Sequence, residues 1–215
     1  MMEYISMYDM ITPTQESLDI VRHISKTVET FHHHYHILYD IAMMFSGTVN
    51  YAEIGTYKGA SACLMLQRRN TRVLTIDTGE YVEPLEVLKN LTSFNVHNNE
   101  FLYIEETSQI AKTRKKVKNF MSGIDILFID GDHSMCGIVK DFGLYEPMVN
   151  KNGYIVVDDY NDVKHNPQIH DIISDLSSYL SKDEYEIIGE LDNSLGAYCS
   201  YDIEGGNCFI IKKLV

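Results

Sequence analysis

Val49-Asn50-Tyr51-Ala52-Glu53-Ile54-Gly55-Thr56-Tyr57-Lys58-Gly59-Ala60-Ser61 decides how this chain is read. Val49 to Ile54 reads as a short strand, and it breaks at Gly55 into a loop that leads to a helical pattern. Gly55 and Gly59, four positions apart, let the backbone turn sharply and pass close to a ligand. The loop lacks the third glycine of the dinucleotide fingerprint G-x-G-x-x-G, which argues against a nicotinamide dehydrogenase. Gly59 instead opens a helix whose first amides can take a carboxylate, with the Ser61 hydroxyl adding a hydrogen bond. Taken alone, a G-x-x-x-G loop also suits a tight structural turn.

Further along the chain, the same unit repeats. Val73 to Ile76 ends at Asp77, Ile124 to Ile129 ends at Asp130, and Tyr154 to Val157 ends at Asp158 and Asp159. Weaker strand patterns occupy Glu100–Ile104, Tyr185–Ile188 and Cys208–Ile211, and helices are expected over 15–30, 33–46, 59–69, 82–95, 109–121, 135–149 and 167–181. Strands alternating with helices predict an α/β fold with a mostly parallel sheet. Open sheets of this kind bind ligands beyond the carboxyl ends of their strands, so the acids converge on one crevice. Asp77 lies about 20 residues after the glycine loop, where a carboxylate accepts both hydroxyls of a ribose or else caps a helix. Asp130-Gly131-Asp132-His133 and Asp158-Asp159-Tyr160 end adjacent strands, and carboxylates gathered in a cleft repel one another unless a cation joins them. Mg²⁺ or Mn²⁺ suits such an oxygen-rich site with open positions.

The chain's 215 residues fit one domain, 1–215, with 1–46 as an N-terminal helical segment packing on it. With 31 acidic against 18 basic residues and a net charge of -13, the surface is a poor match for nucleic acid. The run Lys112, Arg114, Lys115, Lys116 and Lys118 reads as a solvated helix face. Cys63, Cys136, Cys199 and Cys208 are scattered with no C-x-x-C pair, as in a reducing compartment, and no apolar run approaches a membrane span. These features predict a cytoplasmic protein with no membrane or nucleic-acid partner. His32, His33, His34 and His36 are read as part of a partly exposed helix, with a metal site as the rarer alternative.

The motifs together resemble the class I, Rossmann-like S-adenosylmethionine-dependent methyltransferases, over most of the chain from Glu53 to Asp159. The resemblance is specifically to two related groups: the metal-dependent catechol and caffeoyl-CoA O-methyltransferases, and the macrocin O-methyltransferase family of sugar methylases. The catechol loop E-x-G-x-Y-x-G-x-S is matched by Glu53, Gly55, Tyr57, Gly59 and Ser61. The resemblance implies a seven-stranded, mostly parallel sheet with an antiparallel last strand and helices on both faces. It implies that Ser61 and the loop amides hold the methionine carboxylate, that Glu53 steadies the amino end, and that Asp77 takes the ribose. Ser108 and Gln109 resemble the S-Q pair that contacts adenine; Ser108 equally suits a helix N-cap.

For the reaction, the resemblance implies a divalent metal, Mg or Mn, on Asp130, Asp158 and Asp159. Asp159 is followed by Tyr160 where the catechol enzymes have D-N, so the pattern Asp158-Asp159-Tyr160 looks like the sugar methylases. His133, three positions after Asp130, stands where the sugar enzymes carry a histidine; with Asp130 it is the expected catalytic pair, and His165 is a reserve base. The acceptor implied is a hydroxyl of a sugar, a glycan or a glycosylated small molecule. A catechol-type phenol, a metal-independent methyltransferase in which His133 works alone, and a non-catalytic S-adenosylmethionine-binding subunit are the alternatives. The stretch 193–206, rich in Gly, Ser and Tyr, suits either the acceptor cleft or a homo-oligomer contact.

Overall fold

The computed structural model describes residues 14–29, 35–160, 167–190 and 208–215. Seven strands, β1 (Val49–Ile54), β2 (Thr71–Asp77), β3 (Phe101–Glu105), β4 (Ile124–Ile129), β5 (Val149–Val157), β6 (Tyr185–Glu190) and β7 (Phe209–Lys213), form one sheet in the order β3-β2-β1-β4-β5-β7-β6. Strands β1 to β5 pair in parallel, and β7 runs antiparallel to both its neighbours. This is the expected mostly parallel sheet with an antiparallel last strand, and the three weaker strand patterns are all present.

Helices cover both faces because successive strand residues point to opposite sides. On one face Tyr51, Ile126 and Phe128 meet α1 (Gln15–Ser25), α2 (His36–Met43), α3 (Ala60–Leu66) and α4 (Pro84–Phe94) through Ile24, Ile37, Ile41, Leu64 and Leu91. On the other, Ala52, Ile54, Leu127 and Ile129 meet α5 (Ala111–Phe120), α6 (Met135–Tyr145) and α7 (Pro167–Tyr179) through Val117, Ile138, Phe142 and Ile173. A sheet buried on both sides needs apolar residues at nearly every position, which is why β4 reads as Ile-Asp-Ile-Leu-Phe-Ile.

Two expectations are corrected. The helix expected over 135–149 stops at Tyr145; Pro147 sits in a 3₁₀ turn, Glu146–Met148, and β5 already starts at Val149. Proline has no N–H to donate and its ring blocks the preceding turn, so the helix cannot pass it. The segment around His36 is also not a partly exposed helix face, because every residue from His36 to Ala42 is buried. His36 Nδ1 lies 3.2 Å from the Asp40 carboxylate, which also accepts from Ser17 Oγ at 3.1 Å and Thr14 Oγ1 at 3.3 Å on α1 and its cap. His32, His33 and His34 lie outside the described residues.

Strand order reverses between β1 and β4, since β2 and β3 lie on one side of β1 and β5 on the other. A crevice opens at such a switch point. Backbone bonds stitch its floor: Asp130 N donates to Ile54 O at 2.8 Å, Gly55 N to Ile76 O at 2.9 Å, and Asp158 N to Ile129 O at 3.0 Å.

Candidate active site

The glycine loop emerges from β1 directly over the end of β4. Gly55 has φ +90°, and a Cβ placed there would lie 1.8 Å from the Asp130 carbonyl oxygen. Only glycine lets the two strand ends approach this closely. Gly59, also at positive φ, turns the chain into α3. Across the gap stands Asp77: its Oδ2 accepts from the amides of Thr56 (2.8 Å) and Tyr57 (2.9 Å), and its Oδ1 from Gly79 N at 2.8 Å. One carboxylate thus shapes the loops after β1 and β2 while facing the crevice. Lys58 Nζ pairs with Glu29 across the mouth.

Glu53 lies on β1, two residues before Gly55. It is fully buried beneath the loop, accepting from Tyr51 Oη (2.6 Å), Ser61 Oγ (2.7 Å) and Thr75 Oγ1 (2.8 Å). Ser61 lines the crevice with its hydroxyl turned inward to Glu53, so the pair acts as one unit. Burial pushes the Glu53 carboxyl up to about 7, against the lowering effect of its three hydroxyl donors. An acid whose folded pKa is raised favours folding most when protonated, so its contribution is complete below its ordinary value near 4.5 and is lost as pH rises to about 7. Thermal stability is therefore expected to fall across that window by on the order of 3 kcal/mol from this group. Glu53→Gln should flatten the slope in melting curves taken at several pH values; an unchanged slope would assign it to other groups.

At the other end of the crevice, Ser108 is buried and donates to Asp141 Oδ1 at 2.6 Å, while Tyr145 Oη donates to the Ser108 carbonyl at 2.7 Å. Asp141 is 1% exposed and its carboxyl is pushed up to about 6, mainly by burial. Gln109 joins Ser108 and Asp141 in lining this end.

The reaction end is built from the loops after β4 and β5. His133 Nε2 lies 3.4 Å from Asp130 Oδ1, and Nδ1 lies 3.4 Å from Asp159 Oδ2. Asp159 adopts φ +56°, a left-handed conformation that aspartate tolerates better than most residues. One ligand atom each from Asp130, His133 and Asp159 falls within a 4.8 Å group, so the donor set fits a divalent cation. Of the three expected ligands, Asp130 and Asp159 meet, and His133 joins them. Asp158 is outside that group: it is 1% exposed, and its Oδ1 faces the buried Cys208 thiol at 3.5 Å.

A cavity of about 730 Å³ is lined among others by Gly55, Tyr57, Ser61, Asp77, Ser108, Gln109, Asp130 and His133, with Asp159 behind His133. That size suits a nucleoside-sized ligand beside a small acceptor. The lining residues not singled out from the sequence include Asp141 and Tyr35. Asp141 had a usable signal, since it falls on the apolar stripe Ile138, Phe142, Tyr145 of α6, where an acid must have a partner. Tyr35 had none; its hydroxyl reaches Asp130 Oδ2 at 3.1 Å from 95 residues away. His165 and the stretch 193–206 lie outside the described residues.

Residues 52–160 match the methyltransferase domain family. The chain is a member of that family. The matched segment runs from β1 to just past β5 and so contains the glycine loop, Asp77, Asp130, His133 and Asp159. The methyltransferase is 36% identical over 199 residues to uncharacterized protein R132 of Acanthamoeba polyphaga mimivirus, covering 85% of this chain and 88% of that protein. Among solved structures, an O-methyltransferase from Bacillus cereus in complex with SAH superposes with a TM-score of 0.62 at 16% identity, covering 97% of this chain and 95% of that one. An rRNA methylase from Streptococcus thermophilus gives a TM-score of 0.61 at 9% identity, over 86% of this chain and 99% of that one. Likeness at such identity is likeness of fold, and the methylated group must be argued from the site.

Proposed function

We propose that the protein is an S-adenosylmethionine-dependent O-methyltransferase that uses a divalent metal, Mg²⁺ or Mn²⁺, to methylate a hydroxyl of a sugar, glycan or glycosylated small molecule. The observation that carries this reading is the meeting of Asp130, His133 and Asp159 beside the cavity that Asp77 and the glycine loop also border. In this reading the Gly55–Ser61 loop takes the amino-acid end of the cofactor, Asp77 its ribose, and Ser108, Gln109 and Asp141 its adenine. Asp158, buried against Cys208, steadies the loop that carries Asp159.

Bound S-adenosylmethionine supplies an electrophilic methyl group, and a divalent cation supplies Lewis acidity toward the acceptor hydroxyl. The chain's own part is alignment and proton management. In this reading Asp130 and Asp159 would hold the cation and His133 is the base rather than a ligand: the two carboxylates flank its nitrogens at 3.4 Å and stabilise the positive charge that develops when its imidazole accepts the hydroxyl proton. The sugar is preferred to a catechol because Asp158-Asp159-Tyr160 and His133 follow the sugar-methylase pattern. An RNA acceptor is disfavoured, because Glu29, Glu80, Glu106 and Asp132 add negative charge around the cavity and the chain's net charge is -13. Among the described residues no helix is long and apolar enough to cross a membrane, and cytoplasmic action on a small or glycan acceptor fits the reading.

The test is release of S-adenosylhomocysteine on incubation with S-adenosylmethionine and a panel of glycosides and catechols. Release with a glycoside is expected with Mg²⁺ and should fall roughly 100-fold or more with EDTA, the scale of a lost electrophile. Undiminished release in EDTA would point to His133 acting without metal; cofactor binding with no release from any acceptor would favour a non-catalytic subunit.

A further inference from the structure

We propose that Tyr35 is a positioning residue for Asp130, and that the α1–α2 pair holds it in place, making the N-terminal segment part of the reaction site. The inference rests on the metal reading above. Tyr35 immediately precedes α2, is 6% exposed, and packs its ring edge-on against Phe128 of β4, with centroids 5.6 Å apart and planes at 84°. Its hydroxyl donates to Asp130 Oδ2 at 3.1 Å, whereas the other oxygen, Oδ1, faces His133 Nε2 at 3.4 Å. The two carboxylate oxygens are thereby divided: one is held by a phenol on a rigid ring, and the other is presented to the group formed with His133 and Asp159.

A carboxylate at a strand end rotates about its last bond unless something restrains it. Phe128 fixes the Tyr35 ring from the sheet side. From the other side α2 is tied down: Asp40 collects His36, Ser17 and Thr14, and Tyr39 Oη donates to Glu16 on α1 at 3.2 Å. The helix that bears Tyr35 is thus docked by a buried polar cluster as well as by Ile37, Leu38 and Ile41 in the core. The N-terminal segment thereby lines the same cavity through Tyr35 as well as through Glu29.

Hydrogen-bond partners that orient a metal-binding carboxylate typically change metal affinity by about 10–100-fold when removed. Calorimetric titration of Mn²⁺ into the full chain is therefore expected to show roughly 10-fold weaker binding in Tyr35→Phe than in the wild type. S-adenosylhomocysteine affinity and melting temperature should stay unchanged in the same variant, since the phenyl ring still fills the space against Phe128. Unchanged Mn²⁺ affinity overturns the inference and leaves the metal reading standing. Parallel loss of Mn²⁺ binding, S-adenosylhomocysteine binding and melting temperature also overturns it, because that is the pattern of a packing role. If the wild-type protein itself fails to bind Mn²⁺, the metal reading falls and this inference falls with it.

Discussion

Asp77→Ala is expected to weaken S-adenosylhomocysteine binding by roughly 100-fold or more in a calorimetric titration, at two hydrogen bonds to a charged acceptor worth about 1.5–3 kcal/mol each. The size follows from the double duty of one carboxylate. Towards the cavity it is positioned to accept a ribose diol. Towards the protein it already receives the amides of Thr56, Tyr57 and Gly79, so alanine leaves three backbone donors to find water. The loop after β1 should then lose its shape together with the ribose contact. Asp77→Asn separates the two duties, because its amide oxygen still accepts while its NH₂ repels the backbone donors; intermediate affinity is expected. Wild-type affinity in Asp77→Ala would remove the cofactor site from this end of the cavity and with it the methyl-transfer reading.

Gly55→Ala should destabilise the fold by roughly 3 kcal/mol or more, beyond the usual range for one added methyl group. The added Cβ would lie 1.8 Å from Asp130 O, 2.4 Å from Asp130 C and 2.9 Å from Gly131 Cα. All three are backbone atoms, so relief requires β1 and β4 to separate at the switch point. A left-handed φ adds roughly 1–2 kcal/mol for an L residue. In a chain of this size the melting temperature should fall by roughly 6–12 °C, and S-adenosylhomocysteine and Mn²⁺ binding should be lost together. Gly59→Ala is the natural comparison. Its φ is also positive, yet its nearest neighbours are side-chain carbons at 3.5–3.8 Å, so only the conformational term of roughly 1–2 kcal/mol applies. Equal losses at the two glycines would mean that close approach of the strand ends is not what Gly55 provides.

Much of the fold was legible because each signal is local. A strand buried on both faces is apolar at nearly every position, glycines four apart mark a sharp strand-to-helix turn, and acids at strand ends mark the binding edge of a parallel sheet. From these rules alone the sequence determined the α/β class, the succession of elements, the glycine loop, and the placement of Asp77, Asp130 and Asp159 at one edge. Where local rules met a conflict they misplaced a boundary, as at Pro147, whose effect on α6 outweighs the helical spacing of its neighbours.

Tertiary structure decided what depends on which elements become neighbours. The register of β1 against β2 sets Glu53 opposite Thr75 and beneath Ser61, where it underpins the loop. Asp158 and Asp159 are adjacent in sequence, but just past the end of β5, where Asp159 turns to φ +56°, one faces Cys208 and the other His133. Ser108 finds Asp141 on a helix 33 residues away, and Asp130 finds Tyr35 across 95. Residue type and spacing specify which groups a chain can offer; only packing, which joins groups distant along the chain at a distance of about 3 Å, specifies which of them act on each other.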